Sequence, residues 1–316
     1  MILCIEGPTA SGKSALALML ARELGGQIVN ADSRQVYRFM DIGTAKVSLE
    51  ERQEVAHHLV DIIDPRERYN AGRFVSDAET AISEISKMNQ IPIVCGGTGL
   101  YIRAFLDGLF EHPPLDPHLK ERLQEELETI GAEAMYLKLQ DCDPEFAAKI
   151  SPKDPQRILR GLEVFLGTGK SISEHWQRQV REPRHKALRI FVDLPRAELY
   201  EKINLRVQLM MEQGLINEIK ALLDMGYTWQ DPGLNTMGYK EFQPYIESLA
   251  SSEECAQVVA QHHRNYAKRQ LTWYRKCKFD LTICSHSFSL SDVLRDIKSR
   301  FMGLKEEYGE DHRQSC

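Results

Sequence analysis

The feature that most constrains the fold of this chain is a glycine-rich segment that directly follows a short apolar run. Ile2 to Ile5 is continuously apolar, which is typical of a strand buried on both faces of a parallel sheet. Residues 7–14, Gly-Pro-Thr-Ala-Ser-Gly-Lys-Ser, fit the pattern GxxxxGK[ST], and residues 15–24 have the pattern of a helix. A strand, a glycine-rich loop and a helix in this order predict an α/β protein that binds phosphate at the loop.

The residues of this phosphate loop have separate roles in the predicted binding. Glycines let backbone N–H groups surround phosphate oxygens, Lys13 adds a positive charge, and Ser14 is the predicted Mg²⁺ ligand. The alternative is a glycine-rich turn followed by a surface lysine, which the strand-loop-helix context disfavours. The predicted phosphate-binding residues are Gly7, Pro8, Thr9, Ala10, Ser11, Gly12, Lys13 and Ser14.

Two further apolar runs also end in polar or glycine-rich loops. Gln27 to Ala31 is followed by Asp32, and Ile91 to Cys95 is followed by Gly96-Gly97-Thr98-Gly99. Parallel strands place their carboxyl ends at one edge of a sheet, where open α/β sheets bind ligands. We therefore expect the three loops to converge, with the strand that precedes Asp32 next to the first strand.

The chain changes character after residue 113. Helical periodicity with few strand signals predicts a helical insertion over 114–186, within a core formed by 1–113 and 187–316. Alternating strands and helices in that core predict a parallel sheet in three layers, with helices on both faces. Leu188 to Asp193 returns to the sheet as a strand, most of the later chain is helical, and the polar tail from Glu306 is expected to be frayed.

The composition excludes several classes of protein. The seven cysteines include no CxxC pair, and no apolar stretch approaches the roughly 20 residues that span a bilayer. The chain starts without a basic leader, so we expect a cytoplasmic protein with no membrane association. The histidine pairs 57–58 and 262–263 lack partners at metal-ligand spacing, so no zinc site is expected.

The formal net charge of −6 argues against a uniformly basic surface, but two segments are basic. Residues 153–189 contain nine Lys or Arg against four Asp or Glu, and residues 264–278 contain six against none. Such runs are usually solvated helix faces, and RNA binding is the alternative. The second segment also contains three aromatic residues that either pack in a core or stack on bases: Tyr266, Trp273 and Tyr274.

Asp32 is the carboxylate that this edge of the sheet would present to a bound ligand. At the end of a strand it can ligate Mg²⁺ or act as a general base. The alternative is a helix N-cap, because Asp and Ser both favour that position. The local sequence does not decide between the two interpretations.

Eight segments of the chain, in this order, resemble the tRNA dimethylallyltransferase family, also called the tRNA isopentenyltransferase or IPP transferase family. The absence of a C-terminal zinc finger, which eukaryotic relatives carry, indicates the bacterial type. The resemblance implies a P-loop NTPase-like core with a helical insertion domain that contacts tRNA. The segments are 7–14 (GPTASGKS), 31–37 (ADSRQVY), 40–46 (MDIGTAK), 57–61 (HHLVD), 96–101 (GGTGLY), 154–157 (DPQR), 237–241 (MGYKE) and 266–273 (YAKRQLTW).

The resemblance implies that a dimethylallyl group moves from dimethylallyl diphosphate to N6 of the adenosine 3′-adjacent to the anticodon in tRNA. The products would be N6-isopentenyladenosine and diphosphate. Asp32 matches the family's general base, Arg206 matches an arginine that contacts the diphosphate, and Thr98 matches a residue lining the reaction channel. Local sequence alone would place Arg206 on an exposed helix face. The predicted catalytic residues are Asp32, Lys13, Thr98 and Arg206.

The resemblance also implies that the target base is flipped into the channel before it reacts. Lys120 stands where the family more often has arginine, which would weaken a bidentate or stacked contact. The implied partners are the anticodon stem-loop of tRNA and dimethylallyl diphosphate, the implied cofactor is Mg²⁺, and we expect a monomer. The predicted tRNA-binding residues are Asp32, Ser33, Arg34, Gln35, Thr98, Lys120, Gln156, Arg157, Ile158, Leu159, Arg160, Asn235, Thr236, Met237, Gly238, Tyr239 and Lys240.

Two other functions are compatible with the phosphate loop. A small-molecule or nucleotide kinase shares the loop and the core, and predicts ATP binding and phosphoryl transfer. A regulatory protein that binds RNA without catalysis would leave Asp32 without a chemical role. The basic segments and the motifs of the carboxyl-terminal half favour the transferase.

Overall fold

A computed structural model describes residues 1–109, 115–178, 183–284 and 290–314. The chain divides into two compact units, which we call the sheet unit (Met1–Asp107 with Pro183–Cys316) and the helical unit (Gly108–Glu182). Each unit is described by itself. The predicted boundary between residues 113 and 114 lies outside the described residues.

The described part of the sheet unit contains a single six-stranded sheet, in which all neighbouring strands are parallel. Its strands are β1 (Ile2–Glu6), β2 (Gly26–Asn30), β3 (His57–His58), β4 (Ile91–Gly96), β5 (Ala187–Asp193) and β6 (Leu281–Cys284). The predicted α/β class with a parallel sheet is confirmed. The sequence does not predict β3 and β6, because such short strands at the edges of a sheet leave almost no hydrophobic pattern.

The position of β2 differs from the prediction. The strand order is β3-β2-β4-β1-β5-β6, so β4 lies between β1 and β2. The expectation that the strand before Asp32 lies next to the first strand is therefore wrong. Handedness rules restrict how a crossover connection runs, but they do not say how many positions it skips. One consequence is that the loop after β4, with Thr98, follows the central strand between the other two loops.

Helices cover both faces of the sheet. A first hydrophobic cluster packs the helices Lys13–Leu24 and Leu290–Gln314 on one face, and a second packs the helices Ala71–Lys87 and Gly99–Asp107 on the other. The predicted three-layer arrangement is confirmed. The helices of the sheet unit are α1 (Lys13–Leu24), α2 (Leu49–Glu54), α3 (Ala71–Lys87), α4 (Gly99–Asp107), α9 (Arg196–Glu212), α10 (Leu215–Asp224), α11 (Gln243–Ile246), α12 (Ser252–Tyr274) and α13 (Leu290–Gln314), with a 3-10 turn at Lys240–Phe242.

Two helix ends differ in how well the sequence predicts them. α1 ends at Gly25, whose φ of 64° gives the left-handed cap that the sequence indicates. Gly214, with φ of 96°, separates α9 from α10 in a region that reads as continuously helical. The tail from Glu306, expected to be frayed, continues α13 to Gln314 through residues such as Glu and Arg that favour helices.

A third hydrophobic cluster supports the polar loops at the carboxyl edge of the sheet. It joins the segment that follows Asp32 to α9, α10 and α12, with Tyr239 and Phe242 fully buried at its centre. Because loops carry few backbone hydrogen bonds of their own, this packing is what holds their backbone in place. The cluster therefore positions the residues that surround the site described below.

The helical unit contains α5 (Pro117–Cys142), α6 (Pro144–Ala147), α7 (Pro155–Thr168) and α8 (Ile172–Arg178). They enclose a separate core that includes Leu139, Ile158 and Leu162. Asp143 and Asp154 cap α6 and α7, accepting hydrogen bonds from backbone N–H groups of the first helical turn. None of the helices in the described ranges has the length and apolar character that crossing a membrane requires.

Candidate active site

A cavity of about 520 Å³ opens among the loops at the carboxyl ends of the strands in the sheet unit. It brings together eight of the predicted site residues: Thr9, Asp32, Ser33, Arg34, Arg206, Asn235, Met237 and Lys240. The lining also includes residues 43–45 and the α12 residues His262, His263, Asn265, Tyr266 and Arg269. Four cationic side chains thus face two carboxylates, Asp32 and Glu241, which gives a wall suited to a polyanion.

The phosphate loop connects β1 to α1 in the predicted way. Lys13 begins α1, and its Nζ donates a hydrogen bond to the Pro8 carbonyl at 3.2 Å. Burial lowers the pKa of Lys13, while the charge of Asp32 opposes that shift. Ser14 is exposed on the first helical turn. Neither Lys13 nor Ser14 is among the residues that line the cavity.

Gln270, for which the sequence predicts no role, holds the phosphate loop against the loop after β4. Its Oε1 accepts a hydrogen bond from the Thr9 backbone N–H at 2.9 Å, and its Nε2 donates to the Gly97 carbonyl at 2.8 Å. A side chain at Gly97 would prevent this contact, because a Cβ there would lie 2.5 Å from Nε2. The only sequence signal for this role is that a glutamine occupies a position of α12 that faces the core among apolar neighbours.

Arg206 lies in the cavity wall, where α9 faces the phosphate loop. Its Nη1 donates a hydrogen bond to Thr9 Oγ1 at 3.0 Å. Burial lowers the pKa of Arg206, and the Asp32 carboxylate opposes the shift, although the guanidinium stays charged. The local expectation of an exposed helix position is therefore wrong, and Arg206 lies instead against the phosphate loop.

The loop after β2 presents Asp32 to the cavity. Its Oδ1 accepts a hydrogen bond from the Arg34 backbone N–H at 2.8 Å, and residues 33–39 form turns with no helix for Asp32 to cap. Thr98 is not among the residues that line the cavity. Its Oγ1 accepts a hydrogen bond from the Ser33 backbone N–H at 3.2 Å. Thr98 thus ties the loops after β2 and β4 together.

A buried lysine fixes the turn that follows Asp32. The Lys46 side chain is 1% exposed, and its Nζ donates to the Tyr37 carbonyl at 2.8 Å and to carboxylates of Asp41 and Asp61 at 2.6 and 2.5 Å. Arg52 also bonds Asp61, at 2.5 Å. Burial alone would raise the pKa of Asp61, but the hydrogen bonds from Lys46 and Arg52 lower it. The loop is therefore anchored on charge-assisted hydrogen bonds.

Glu218 anchors the other end of the same loop. Its Oε2 accepts hydrogen bonds from the backbone N–H groups of Asp41 and Ile42, each at 2.8 Å. Its Oε1 accepts from the Gly43 N–H at 3.1 Å and from the Tyr239 hydroxyl at 2.6 Å. A single side chain on α10 therefore connects the 43–45 wall of the cavity to the 235–241 wall.

The predicted tRNA-binding segment 235–240 is only partly available to a ligand. Asn235, Met237 and Lys240 line the cavity, whereas Thr236 and Tyr239 are fully buried. Gly238 is buried as well, and its N–H donates to Glu241 Oε2 at 2.8 Å. Gln35 is used internally, since its Nε2 donates to the Ala45 carbonyl at 3.1 Å.

The aromatic residues of α12 divide between the core and the cavity. Tyr274 is buried against Phe191, with 5.1 Å between ring centroids, and Trp273 packs beside Gly99 and under the Arg103 guanidinium. Tyr266 alone of the three predicted aromatics lines the cavity.

The remaining predicted tRNA-binding residues lie in the helical unit. Lys120, Gln156 and Arg157 are exposed, Leu159 is half-buried, and Arg160 Nη1 pairs with Glu163 at 2.8 Å. Ile158 is fully buried in the core of that unit, so its side chain is unavailable to an external ligand. The helical unit thus has a polar surface on α5 and α7 whose side chains can meet a phosphate backbone.

The donor set at the phosphate loop fits Mg²⁺. The ion usually takes one or two protein oxygens and completes its shell with water and substrate phosphates, and Ser14 offers an exposed hydroxyl. No group of three or more His, Cys, Asp or Glu side chains that could hold a metal occurs within the ranges that the structure covers. His57 and His58 instead form β3, where Nδ1 of His57 is 2.7 Å from the Val55 carbonyl.

Comparison with known sequences gives consistent matches. A family model described as IPP transferase matches residues 35–277. The tRNA dimethylallyltransferase of Syntrophobacter fumaroxidans is 45% identical over 276 residues, which cover 87% of this chain and 80% of that protein. The tRNA dimethylallyltransferase of Alkaliphilus metalliredigens is 41% identical over 305 residues, which cover 95% of this chain and 98% of that protein.

Solved structures give the same result. A full-length tRNA isopentenylpyrophosphate transferase from Bacillus halodurans superposes with a TM-score of 0.72 at 34% identity, covering 98% of this chain and 99% of that one. A eukaryotic dimethylallyltransferase, solved acting on tRNA, superposes with a TM-score of 0.81 at 29% identity, covering 98% of this chain and 79% of that one.

Proposed function

Because the chain belongs to the IPP transferase family, we propose that it transfers a dimethylallyl group from dimethylallyl diphosphate to tRNA. The acceptor is N6 of the adenosine next to the anticodon on its 3′ side, and the products are N6-isopentenyladenosine and diphosphate. The observation that carries the proposal is a single cavity in which the Asp32 carboxylate faces Thr9 and Arg206. The cavity thus contains a carboxylate that can accept the proton of the acceptor amine and positively charged side chains that can face the diphosphate leaving group.

The phosphate loop and Arg206 meet the charge that develops on the departing diphosphate. The N-terminus of α1 directs backbone N–H groups towards the loop, and Arg206 adds a charged donor whose position is fixed by Thr9. Donors that are already in place stabilise developing charge without reorganising, which makes them effective in transfer reactions. Lys13 supplies a further positive charge beneath the loop.

We propose that Ser14 holds Mg²⁺ together with the diphosphate. The ion, when bound, neutralises negative charge on the departing diphosphate. Lys13 and Arg206 stabilise the same negative charge. Burial lowers the pKa of both side chains, and the negative charge of Asp32 opposes that shift.

Asp32 accepts the proton that the adenine amine loses. The exocyclic amine is a weak nucleophile, because its lone pair is delocalised into the ring, so a carboxylate within hydrogen-bond reach assists the attack. The Arg34 N–H and the link from Ser33 to Thr98 orient the turn that carries this carboxylate. The target base reaches it by leaving the stack of the anticodon loop.

The RNA wall of the cavity consists of Arg34, Asn235, Met237 and Lys240. We propose that the exposed Lys120, Gln156 and Arg157 of the helical unit contact the anticodon stem-loop as well. Because its substrate is tRNA, we place the protein in the cytoplasm. We also propose that the protein acts as a monomer.

A direct transfer assay tests the proposal against the kinase alternative. The protein is incubated with Mg²⁺, labelled dimethylallyl diphosphate and unmodified tRNA that carries adenosine after the anticodon. We expect label in the tRNA and, after digestion, in N6-isopentenyladenosine. Unlabelled tRNA together with ATP-dependent phosphorylation of a small metabolite would establish the kinase instead.

A further inference from the structure

Three side chains form a row on one face of α12. His263, Tyr266 and Gln270 are spaced by three and four residues, so they lie one above another on the helix. Gln270 bonds the phosphate loop, Tyr266 lines the cavity near Asp32, and His263 lines it one turn further on. Seven residues of helix rise about 10 Å, so along α12 His263 lies about 10 Å from Gln270, the residue that bonds the phosphate loop.

His263 is 6% exposed, and neither of its ring nitrogens has a hydrogen-bond partner among the described residues. Its neighbour His262 differs, because Nδ1 of His262 lies 2.6 Å from Glu241 Oε1. A buried polar group without a partner destabilises a protein, so such a group is retained where a ligand satisfies it. The ring borders the cavity, and the ligand can reach it from there.

The surroundings of His263 indicate which ligand that is. A Cβ at Gly238 would lie 3.7 Å from His263 Nε2, which places the ring against the segment that carries Asn235, Met237 and Lys240. Burial and the nearby Arg206 lower the pKa of His263 to about 4, so the imidazole is neutral near pH 7. A neutral ring offers one donor and one acceptor, which suits the edge of a nucleobase better than a phosphate.

We propose that His263 hydrogen-bonds the nucleobase of the tRNA nucleotide inserted into the cavity and orients it towards Asp32. The inference deepens the proposed function and rests on it. On α12, Tyr266 lies between His263 and Gln270, the residue that holds the phosphate loop.

The test compares the kinetics of the wild type, His263→Phe and His263→Gln. Phenylalanine keeps an aromatic ring and removes both polar atoms, whereas glutamine keeps a donor and an acceptor. We expect His263→Phe to raise KM for tRNA about five- to tenfold, as the loss of one hydrogen bond does, with KM for dimethylallyl diphosphate unchanged. His263→Gln should recover part of the loss.

The melting temperature separates binding from a structural role. Because none of the described residues bonds the His263 ring, we expect the melting temperature of His263→Phe to equal or exceed that of the wild type. His57→Phe is the matched control, since the ring of His57 contacts the Val55 carbonyl at 2.7 Å and does not line the cavity. It should lower the melting temperature and leave KM for tRNA unchanged.

Three results would overturn the inference. The first is an unchanged KM for tRNA in His263→Phe. The second is a raised KM for dimethylallyl diphosphate with KM for tRNA unchanged. The third is a weaker salt dependence of KM for tRNA, which would place the ring on the RNA backbone. Failure of the proposed function is distinguishable from all three, because the wild type itself would then leave tRNA unlabelled.

Discussion

The two sides of the cavity, a donor end at Thr9 and Arg206 and an acceptor end at His263 and residues 235–240, differ in which groups the protein bonds internally. At the donor end, Thr9 is bonded through its backbone to Gln270 and through its hydroxyl to Arg206, and Gln270 also bonds Gly97. At the acceptor end, His263 and the hydroxyl of Thr236 are buried without hydrogen-bond partners among the described side chains. The donor end is therefore largely held by contacts within the protein, with the buried Ser11 hydroxyl of the phosphate loop as the exception among the described residues, and we expect RNA to supply the missing partners at the acceptor end.

This difference has a chemical reason. A diphosphate is small and highly charged, so a site in which the donors already point inward binds it with little loss of conformational freedom. A nucleobase arrives on a large, flexible molecule and brings its own donors and acceptors. Asp32, the proposed base, lines the same cavity, on a turn that Lys46 and Glu218 hold in place.

The largest effect is expected at the anchor of that turn. Lys46→Met removes three hydrogen bonds made by a buried ammonium, but Asp41 is 58% exposed and Asp61 keeps Arg52, so the cost should be about 2–4 kcal/mol. We expect the free energy of unfolding, measured by urea titration, to fall by that amount. Lys87→Met, at an exposed position, should change it little. A change in the free energy of unfolding below about 1 kcal/mol in Lys46→Met would show that contacts other than those of Lys46 hold the turn.

The second-largest effect is expected on the turnover number when Asp32 is replaced. Asp32→Asn keeps an oxygen for the Arg34 N–H but cannot accept a proton, so we expect kcat to fall about 10²-fold or more while dimethylallyl diphosphate still binds. Asp64→Asn is the matched control, because Asp64 Oδ1 accepts from the Arg66 N–H at 2.9 Å in a similar turn outside the cavity. Single-turnover kinetics and donor binding provide the two readouts. Near-normal turnover in Asp32→Asn would place the base elsewhere.

A smaller effect is expected at the donor end. Gln270→Glu keeps the acceptor for Thr9 but sets a carboxylate oxygen against the Gly97 carbonyl, an unfavourable change worth about 1–3 kcal/mol. We therefore expect KM for dimethylallyl diphosphate to rise about 10- to 100-fold. The exposed Gln257→Glu on the same helix should leave it unchanged. Equal effects of both substitutions would mean that added charge, and not the lost contact, is responsible.

The smallest effect concerns acid stability at the acceptor end. The pKa of His263 is lowered to about 4 in the folded protein, and an unfolded histidine titrates near 6.5, so the unfolded state binds more protons between these values. Stability is therefore lost as pH falls from about 6.5 towards 4, by about 1–2 kcal/mol at pH 5. Thermal unfolding should show a shallower loss in His263→Phe. Identical pH profiles for the two proteins would contradict a buried, neutral histidine.

The sequence predicts the parts of the molecule that local patterns encode. The strand, glycine-rich loop and helix at the amino terminus, and the parallel sheet, follow from residue order and hydrophobic runs. The placement of Asp32, Thr9 and Arg206 in one cavity follows from the family resemblance together with the rule that parallel strands end at one edge.

Long-range contacts explain what the sequence does not predict. Gln270 bonds groups 261 and 173 residues away, and Glu218 bonds backbone atoms more than 170 residues away. Nothing in the local composition of α12 or α10 indicates such partners. The position of β4 between β1 and β2 is likewise a property of the whole sheet, and it explains why Thr98 links two loops instead of facing the cavity.

The most direct test of the account measures both Michaelis constants in Gln270→Glu, His263→Phe and the double variant. The account predicts that the first substitution raises only KM for dimethylallyl diphosphate, the second raises only KM for tRNA, and the double variant shows both changes as independent effects. If both substitutions raised the same Michaelis constant, the cavity would not have separate donor and acceptor ends, and the account would be contradicted.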